Sequence, residues 1–405
     1  MKILFVDDEL AILRAIRRIL RRLANRHAID LEPSYRAAIE RLREGGYHLV
    51  VTDVRMADRG GEQVLTAAAD YNPSCVRAIF SGFSGEEELA LAARHAHLFI
   101  SKPFETTTIL DLLARAEVLG AMPVTDAVRQ CLGCLQALPS PTAVTRELVM
   151  ALRDDQCAAP SMQEIAAIIE QDMGISAKVL QLANSAFFGV AGPVLKLDQA
   201  VKRLGTRMIS GLLLQQALFR AVTLPGGLER WRDDLNRQAL ESAKLAARMA
   251  GDLRLSRDAQ AEASLAGLLH DAGRLVLVAE FADQEHATHV LEFARGRNLC
   301  ALEERLFGVH HGWIGAYLLR LWGLPAGVVD AAAYHHAPAA AGQSGLSSLT
   351  LVHIADALVR ADATREFDLE LDLDLAYLQH PEVLGSRMPW KSLSKPKANF
   401  NFANI

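Results

Sequence analysis

Five polar residues follow short apolar runs between positions 7 and 102, and together they could carry phosphoryl transfer. Asp7 and Asp8 follow KILFV (2–6), Asp53 follows HLVV (48–51), Ser81 follows VRAIF (76–80), and Lys102 follows HLFI (97–100). Carboxylates brought together repel unless a cation sits among them, and hard oxygen ligands of this kind suit Mg²⁺. An ammonium and a hydroxyl beside a carboxylate nucleophile complete the set. Mg²⁺ and Lys102 would neutralise phosphoryl oxygens while an aspartate attacks.

The elements that must position these groups are legible in the spacing. A weaker apolar run, AIDL (28–31), makes a fifth strand, and helical patterns lie between the runs at about 9–24, 35–44, 61–69, 86–95 and 105–118. Strands alternating with helices predict a parallel sheet covered on both faces. The strands' C-terminal ends then share one crevice. On the first helical stretch, Arg14, Arg17, Arg18, Arg21 and Arg22 recur at three- and four-residue spacing and read as a solvated basic face. A docking surface for an acidic partner is the alternative.

The quoted pieces ILFVDDE, VVTDVRM, AIFSG and FISKPF resemble the response-regulator receiver domain over residues 1–119. The resemblance implies a flavodoxin-like fold of strand order 2-1-3-4-5. It implies phosphorylation of Asp53 by a sensor histidine kinase or phosphotransfer protein. It implies Mg²⁺ on Asp8, on Asp7 through water, on Asp53 and on the Arg55 carbonyl. Ser81 and Lys102 would hold the phosphoryl group, Phe99 would be the rotating switch aromatic, and the Lys102–Pro103 bond would be cis. Ala57 stands where receivers often carry Pro.

Gly120 and Pro123 break the alternating pattern, and from about Val124 to Arg365 only helical signals appear. Ser161 with Glu164 reads as a capping box. Histidines are absent between His97 and His270, then gather as His270–Asp271, His310–His311, His335–His336 and His353, with Asp356 following. Adjacent His–Asp in LLHDAGR is the pair that an HD-type metal-dependent phosphohydrolase uses to activate water. Such a site needs an earlier His on the preceding helix, and Gln238 stands there. Ala337 follows the paired His, and no Gly-Tyr-Pro loop occurs. A second metal is therefore not expected in this region, and Gln238, His270, Asp271, His311, His335, His336 and Asp356 read as a vestigial site kept as a buried polar network.

LPSPTAV (138–144), QDMGISAKVLQLANSAFFG (171–189), LDQAVKRLG (197–205), GLLHDAGRLVL (267–277), HGWIGAYLLRLWGLP (311–325) and VVDAAAYHH (328–336) look like the HDOD domain, the HD-related output domain. That implies an all-α fold in two lobes with a signalling role. Asn184, Ser185 and Phe188 read as a helix-end motif, with an interaction surface as the alternative. Cys131 and Cys134 read as core packing.

The expected organisation is a receiver at 1–119, a linker at 120–127, the all-α HDOD domain at 128–365 and a tail at 366–405. With 405 residues, 51% hydrophobic and 22% charged, the chain can fill such cores. Its net charge of −5 argues against broad nucleic-acid binding. Five cysteines give no disulfide framework. With no leader or membrane span in the pattern, a cytoplasmic protein is expected. The expected function is a two-component response regulator with a non-catalytic HDOD domain that contacts an unknown protein partner or a second copy of the chain. The alternative is a receiver-gated phosphohydrolase acting on a cyclic dinucleotide.

Overall fold

The computed structural model describes residues 1–21, 25–56, 60–81, 95–135, 161–184, 194–206, 209, 228–281, 297–342, 345–364 and 372–383, with backbone alone at 81, 99, 101, 229, 297, 298 and 362–364. Five strands, β1 (Lys2–Val6), β2 (Ala28–Glu32), β3 (Leu49–Asp53), β4 (Val76–Ser81) and β5 (Leu98–Ser101), form one parallel sheet of order β2-β1-β3-β4-β5. Alternation along the strands sorts the side chains. Ile3, Phe5, Leu49 and Val51 pack in the core on one side of the sheet, and Leu4, Val6 and Val50 in the core on the other. Continuous apolar strands follow from that double burial. Strand β2 is the edge and is only partly buried, which is why its run is the weakest in the sequence.

Helices α1 (Leu10–Leu20), α2 (Tyr35–Arg43), α3 (Gly60–Tyr71) and α4 (Thr106–Ala121) cover the sheet. The expected helix at 86–95, save for His95, and Ala57 lie outside the described residues, as does Arg22. Arg14, Arg17, Arg18 and Arg21 are exposed on α1 as the spacing predicts, and with Arg41 they line a shallow basic groove.

Beyond α4 the described residues hold only helices. They are α5 (Asp126–Cys134), α6 (Met162–Glu170), α7 (Met173–Ala183), α8 (Leu197–Leu204), α9 (Glu229–Asp252), α10 (Arg257–Leu269), α11 (Ala272–Glu280), α12 (Arg297–Phe307), α13 (His311–Leu321), α14 (Ala326–Tyr334), α15 (Ser348–Thr364) and α16 (Leu375–Leu378). The capping box at Ser161–Glu164 is present in both directions. Helix α7 ends at Ala183, where the Asn184 side chain donates to Leu180 O and Val194 O and accepts from Val194 N. Helix α9 begins at Glu229, its first turns being amphipathic around Trp231 and Leu235. Ser185 and Phe188 lie outside the described residues, as do LPSPTAV and residues 384–405.

One apolar core runs from the α4 side of the sheet through Leu119, Met122, Val128 and Leu132 into the helical region. The join is also polar. Arg129 donates to Leu119 O at 2.6 Å and Met122 O at 2.7 Å, closing the carbonyl end of α4 onto α5. Cys131 and Cys134 are partly exposed and exposed, so the core contribution of α5 comes from Val128 and Leu132 instead.

Candidate functional site

Two constellations gather chemistry-bearing side chains. The first sits at the C-terminal edge of the sheet. Asp7 follows β1, Asp53 closes β3 and Lys102 follows β5, so the parallel register delivers all three to one crevice. Lys102 Nζ lies 2.8 Å from Asp7 Oδ2 and 2.8 Å from Asp53 Oδ2. Glu9 Oε1 is 3.8 Å from the same ammonium and joins Asp7 and Asp53 in one acidic cluster, a third carboxylate that the sequence reading did not single out. Asp8 is exposed and stands outside that cluster. Asp53 Oδ1 accepts from the Arg55 backbone N–H, which ties the loop to the acceptor carboxylate.

Burial pushes the Asp7 carboxyl upward despite its contact with Lys102. Burial pulls Lys102 downward, but its hydrogen bonds to Asp53 and Asp7 outweigh this and the net shift is upward. One ammonium against three carboxylates leaves negative charge over. The oxygen-only donor set therefore fits a divalent hard cation. Ser81 and Phe99 have their backbones in β4 and β5, and their side chains lie outside the described residues. The Lys102–Pro103 bond is cis, as the resemblance implied.

The second constellation is buried among α9 to α15. His270 and Asp271 sit where α10 meets α11, His311 opens α13, His335 and His336 follow α14, and Asp356 is on α15. His311 Nε2 is 3.4 Å from His335 Nε2, 3.2 Å from His336 Nε2 and 3.4 Å from Asp271 Oδ1. His270 Nε2 is 3.4 Å from Asp356 Oδ1. Of the expected set only Gln238 is not drawn in: it is half-buried on α9, and no hydrogen bond or ion pair among the described residues ties it to the cluster.

Three charged partners escaped the sequence reading. Glu303 Oε2 accepts from His311 Nδ1 at 2.6 Å and from the His311 backbone N–H at 2.9 Å. Arg274 Nη1 lies 3.1 Å from Asp271 Oδ2, and Arg360 Nη2 lies 2.8 Å from Asp356 Oδ2. The arginine signals were available, since each follows its aspartate at helical spacing of three or four residues. Burial alone would raise the Asp271 carboxyl, but Arg274 and His270 outweigh it and hold it well below its usual range. Asp356 is likewise held low, with Arg360 outweighing burial.

Between the constellations lies a buried seam. Arg77 N–H donates to His97 Nδ1 at 3.0 Å, so His97 carries its proton on Nε2 and donates it to Gly133 O at 2.9 Å. Arg77 Nη2 also donates to Gly133 O, at 2.6 Å, and Gln181 Nε2 donates to His97 O at 2.8 Å. These bonds link β4 and β5 to α5 and α7. Gly133 permits the approach, because a Cβ there would collide with Pro73 O.

Fold and sites thus define a flavodoxin-like domain with an acidic edge, joined to a helical domain with a histidine cluster. The response regulator receiver domain model matches residues 3–114, and the HDOD domain model matches residues 138–338. The chain belongs to the response regulators that pair a receiver with an HDOD domain. An uncharacterized protein of Treponema pallidum is 31% identical over 180 residues, 43% of this chain and 33% of that protein. Transcriptional regulatory protein ZraR of Klebsiella oxytoca is 27% identical over 158 residues, 38% of this chain and 35% of that protein. The chain thus spans about a third of the length of these curated relatives. The MmoQ response regulator of Methylococcus capsulatus is 21% identical with a TM-score of 0.45, covering 58% of this chain and 90% of that one. No described helix is long and apolar enough to cross a membrane.

Proposed function

We propose that a histidine kinase or phosphotransfer protein phosphorylates this chain at Asp53 and that the helical domain passes the signal on by contact with another protein, without catalysis of its own. The observation that carries this reading is Lys102 held 2.8 Å from both Asp7 and Asp53, an acceptor carboxylate already paired with the cation that would meet a phosphoryl group. Asp7, Asp8, Asp53 and the Arg55 carbonyl are the groups to hold Mg²⁺, which when bound neutralises phosphoryl oxygens. Asp53 attacks phosphorus as a carboxylate, and the donor imidazole leaves. Lys102 shifts from the carboxylates toward the new phosphoryl oxygens, and Ser81 is placed by its strand to contact them. Phe99, in β5 two residues from His97, would turn with that change.

The signal has a physical path. A phosphoryl group brings about −1.5 to −2 charges to the sheet edge. Strands β4 and β5 run from that edge to Arg77 and His97, whose bonds to Gly133 and Gln181 belong to the helical domain. A bias of a few kcal/mol at this seam is enough to shift a two-state population. Arg274 and Arg360 on the outer carboxylate oxygens, with Gln238 in place of a ligand, argue against hydrolysis of a cyclic dinucleotide in the helical domain. The cytoplasm is where such a partner and donor would be met.

The test is covalent labelling by acetyl phosphate with Mg²⁺, followed by size measurement and partner capture with wild type and Asp53→Asn. Labelling and a change in association in wild type alone are expected. Labelling that persists in Asp53→Asn, or association that ignores phosphorylation, overturns the reading.

A further inference from the structure

The histidine cluster contains a conflict that the protein atoms do not resolve. His311 Nδ1 faces a carboxylate oxygen, and His335 Nδ1 faces the carbonyls of Ala331 and Ala332 at 3.1 Å. Neither neighbour can donate, so both Nδ1 atoms carry the proton. Each neutral ring then presents a bare Nε2 lone pair, and the two lone pairs face each other at 3.4 Å. Asp271 Oδ1, another acceptor, lies 3.4 Å from one and 3.6 Å from the other. His336 Nε2 enters the same space, 3.2 Å from His311 Nε2. His336 can donate an Nε2 proton to one of these acceptors only, so lone pairs still outnumber donors there and call for a cation among them.

The spacing identifies what kind. A tetrahedral zinc with bonds of about 2.0–2.1 Å separates its ligands by about 3.3–3.4 Å. The separations of 3.2 to 3.6 Å between these ligand atoms bracket that value. Glu303 on His311 and the backbone carbonyls on His335 are the outer partners that orient metal-binding imidazoles and fix their tautomers. We infer that Asp271, His311, His335 and His336 hold one tetrahedral divalent ion of the zinc class.

The other half of the cluster is differently made. Arg274 occupies Asp271 Oδ2, and Arg360 occupies Asp356 Oδ2. Two guanidinium charges therefore stand on the carboxylate oxygens that a second cation would need. Asp271 is divided between the halves, one oxygen to the imidazoles and one to Arg274. An HD-type pair of metals does not fit this chain, and the single-ion site departs from the sequence expectation that the region holds none. Four protein ligands fill a tetrahedral ion's coordination and leave no position for an activated water. The ion would instead pin the α10–α11 junction to the ends of α13 and α14, adding its binding energy to the fold. This deepens the non-catalytic reading of the helical domain but does not depend on phosphorylation at Asp53.

The experiment uses the full chain, unphosphorylated and purified without a polyhistidine tag. Metal analysis is expected to find one ion per chain, lost in His311→Ala and reduced at least tenfold in affinity in His336→Gln, and kept in His48→Ala and Asp53→Asn. Cobalt added to chelator-treated wild type should give the intense visible band of a tetrahedral ion, and chelation should lower Tm in wild type but not in His336→Gln. This cobalt titration decides the matter if His311→Ala does not fold. Absence of bound ion, two ions per chain, or an octahedral cobalt spectrum overturns the inference. Any of these would leave phosphorylation at Asp53 standing.

Discussion

The acidic edge of the receiver and the histidine cluster of the helical domain both crowd ligand atoms into a small space, and they differ in how the crowding is relieved. At the sheet edge one ammonium, Lys102, serves Asp7 and Asp53 at once, and Asp8 and Glu9 face solvent. Charge there is under-compensated and open to exchange. In the helical domain Asp271 and Asp356 each have their own arginine, and Glu303 has His311. Charge there is paired in place and buried. The first arrangement suits a group that comes and goes; the second suits a core that must stay one shape.

The contrast is tested most severely at His311. His311→Ala leaves the buried Glu303 carboxylate with only the backbone N–H of position 311 of its two donors from that residue, and about 3 kcal/mol of stability should be lost in urea denaturation. The Asp53→Asn change at the open edge should cost no more than about 1 kcal/mol, because Lys102 keeps Asp7. Equal losses at the two sites would erase the distinction.

Lys178 on α7 lies at the seam, 5.5 Å from the centre of the Trp322 ring, and burial lowers its pKa to about 7. Unfolded, the same ammonium titrates near 10.5. Between about pH 7 and 10.5 the unfolded chain therefore binds more protons, and stability rises with pH across that window. The penalty is fully present below about pH 7 and gone above 10.5. Lys178→Met should raise stability at pH 7 by a few kcal/mol and flatten the slope between pH 7 and 10. An unchanged slope would show that Lys178 is solvated in the native state.

Smaller effects are expected at the seam's closest approach. Gly133→Ala drives a methyl into Pro73 O and should cost about 1–3 kcal/mol. Gln181→Ala removes the bond to His97 O and should cost about 1–2 kcal/mol. Both should weaken the response to phosphorylation more than they weaken labelling of Asp53, measured by comparing labelled fraction with association state.

The sheet was readable because its strands are buried on both faces, so runs such as KILFV and HLVV stand out and their last residues mark the site. Asp7, Asp53 and Lys102 were found for that reason. Glu9 was not, since one more carboxylate after a strand looks like a solvated helix start. His270, Asp271, His311, His335, His336 and Asp356 were legible as a group because their types are rare and adjacent. What the sequence could not show was the tautomer of each ring and the division of Asp271 between two neighbours. Those depend on which carbonyls and guanidiniums the fold brings alongside. The seam at Gly133 was invisible for the same reason: a glycine on a helix carries no mark of the backbone pressed against it.

The most direct measurement is hydrogen exchange on full-length wild type and Asp53→Asn, each with and without beryllofluoride and Mg²⁺. The expected result is altered protection at 126–134 and 173–183 in wild type only, with the backbone around His311 and His335 unchanged. Protection at α5 and α7 that does not respond, or that responds equally in Asp53→Asn, would contradict transmission from the acidic edge through the seam.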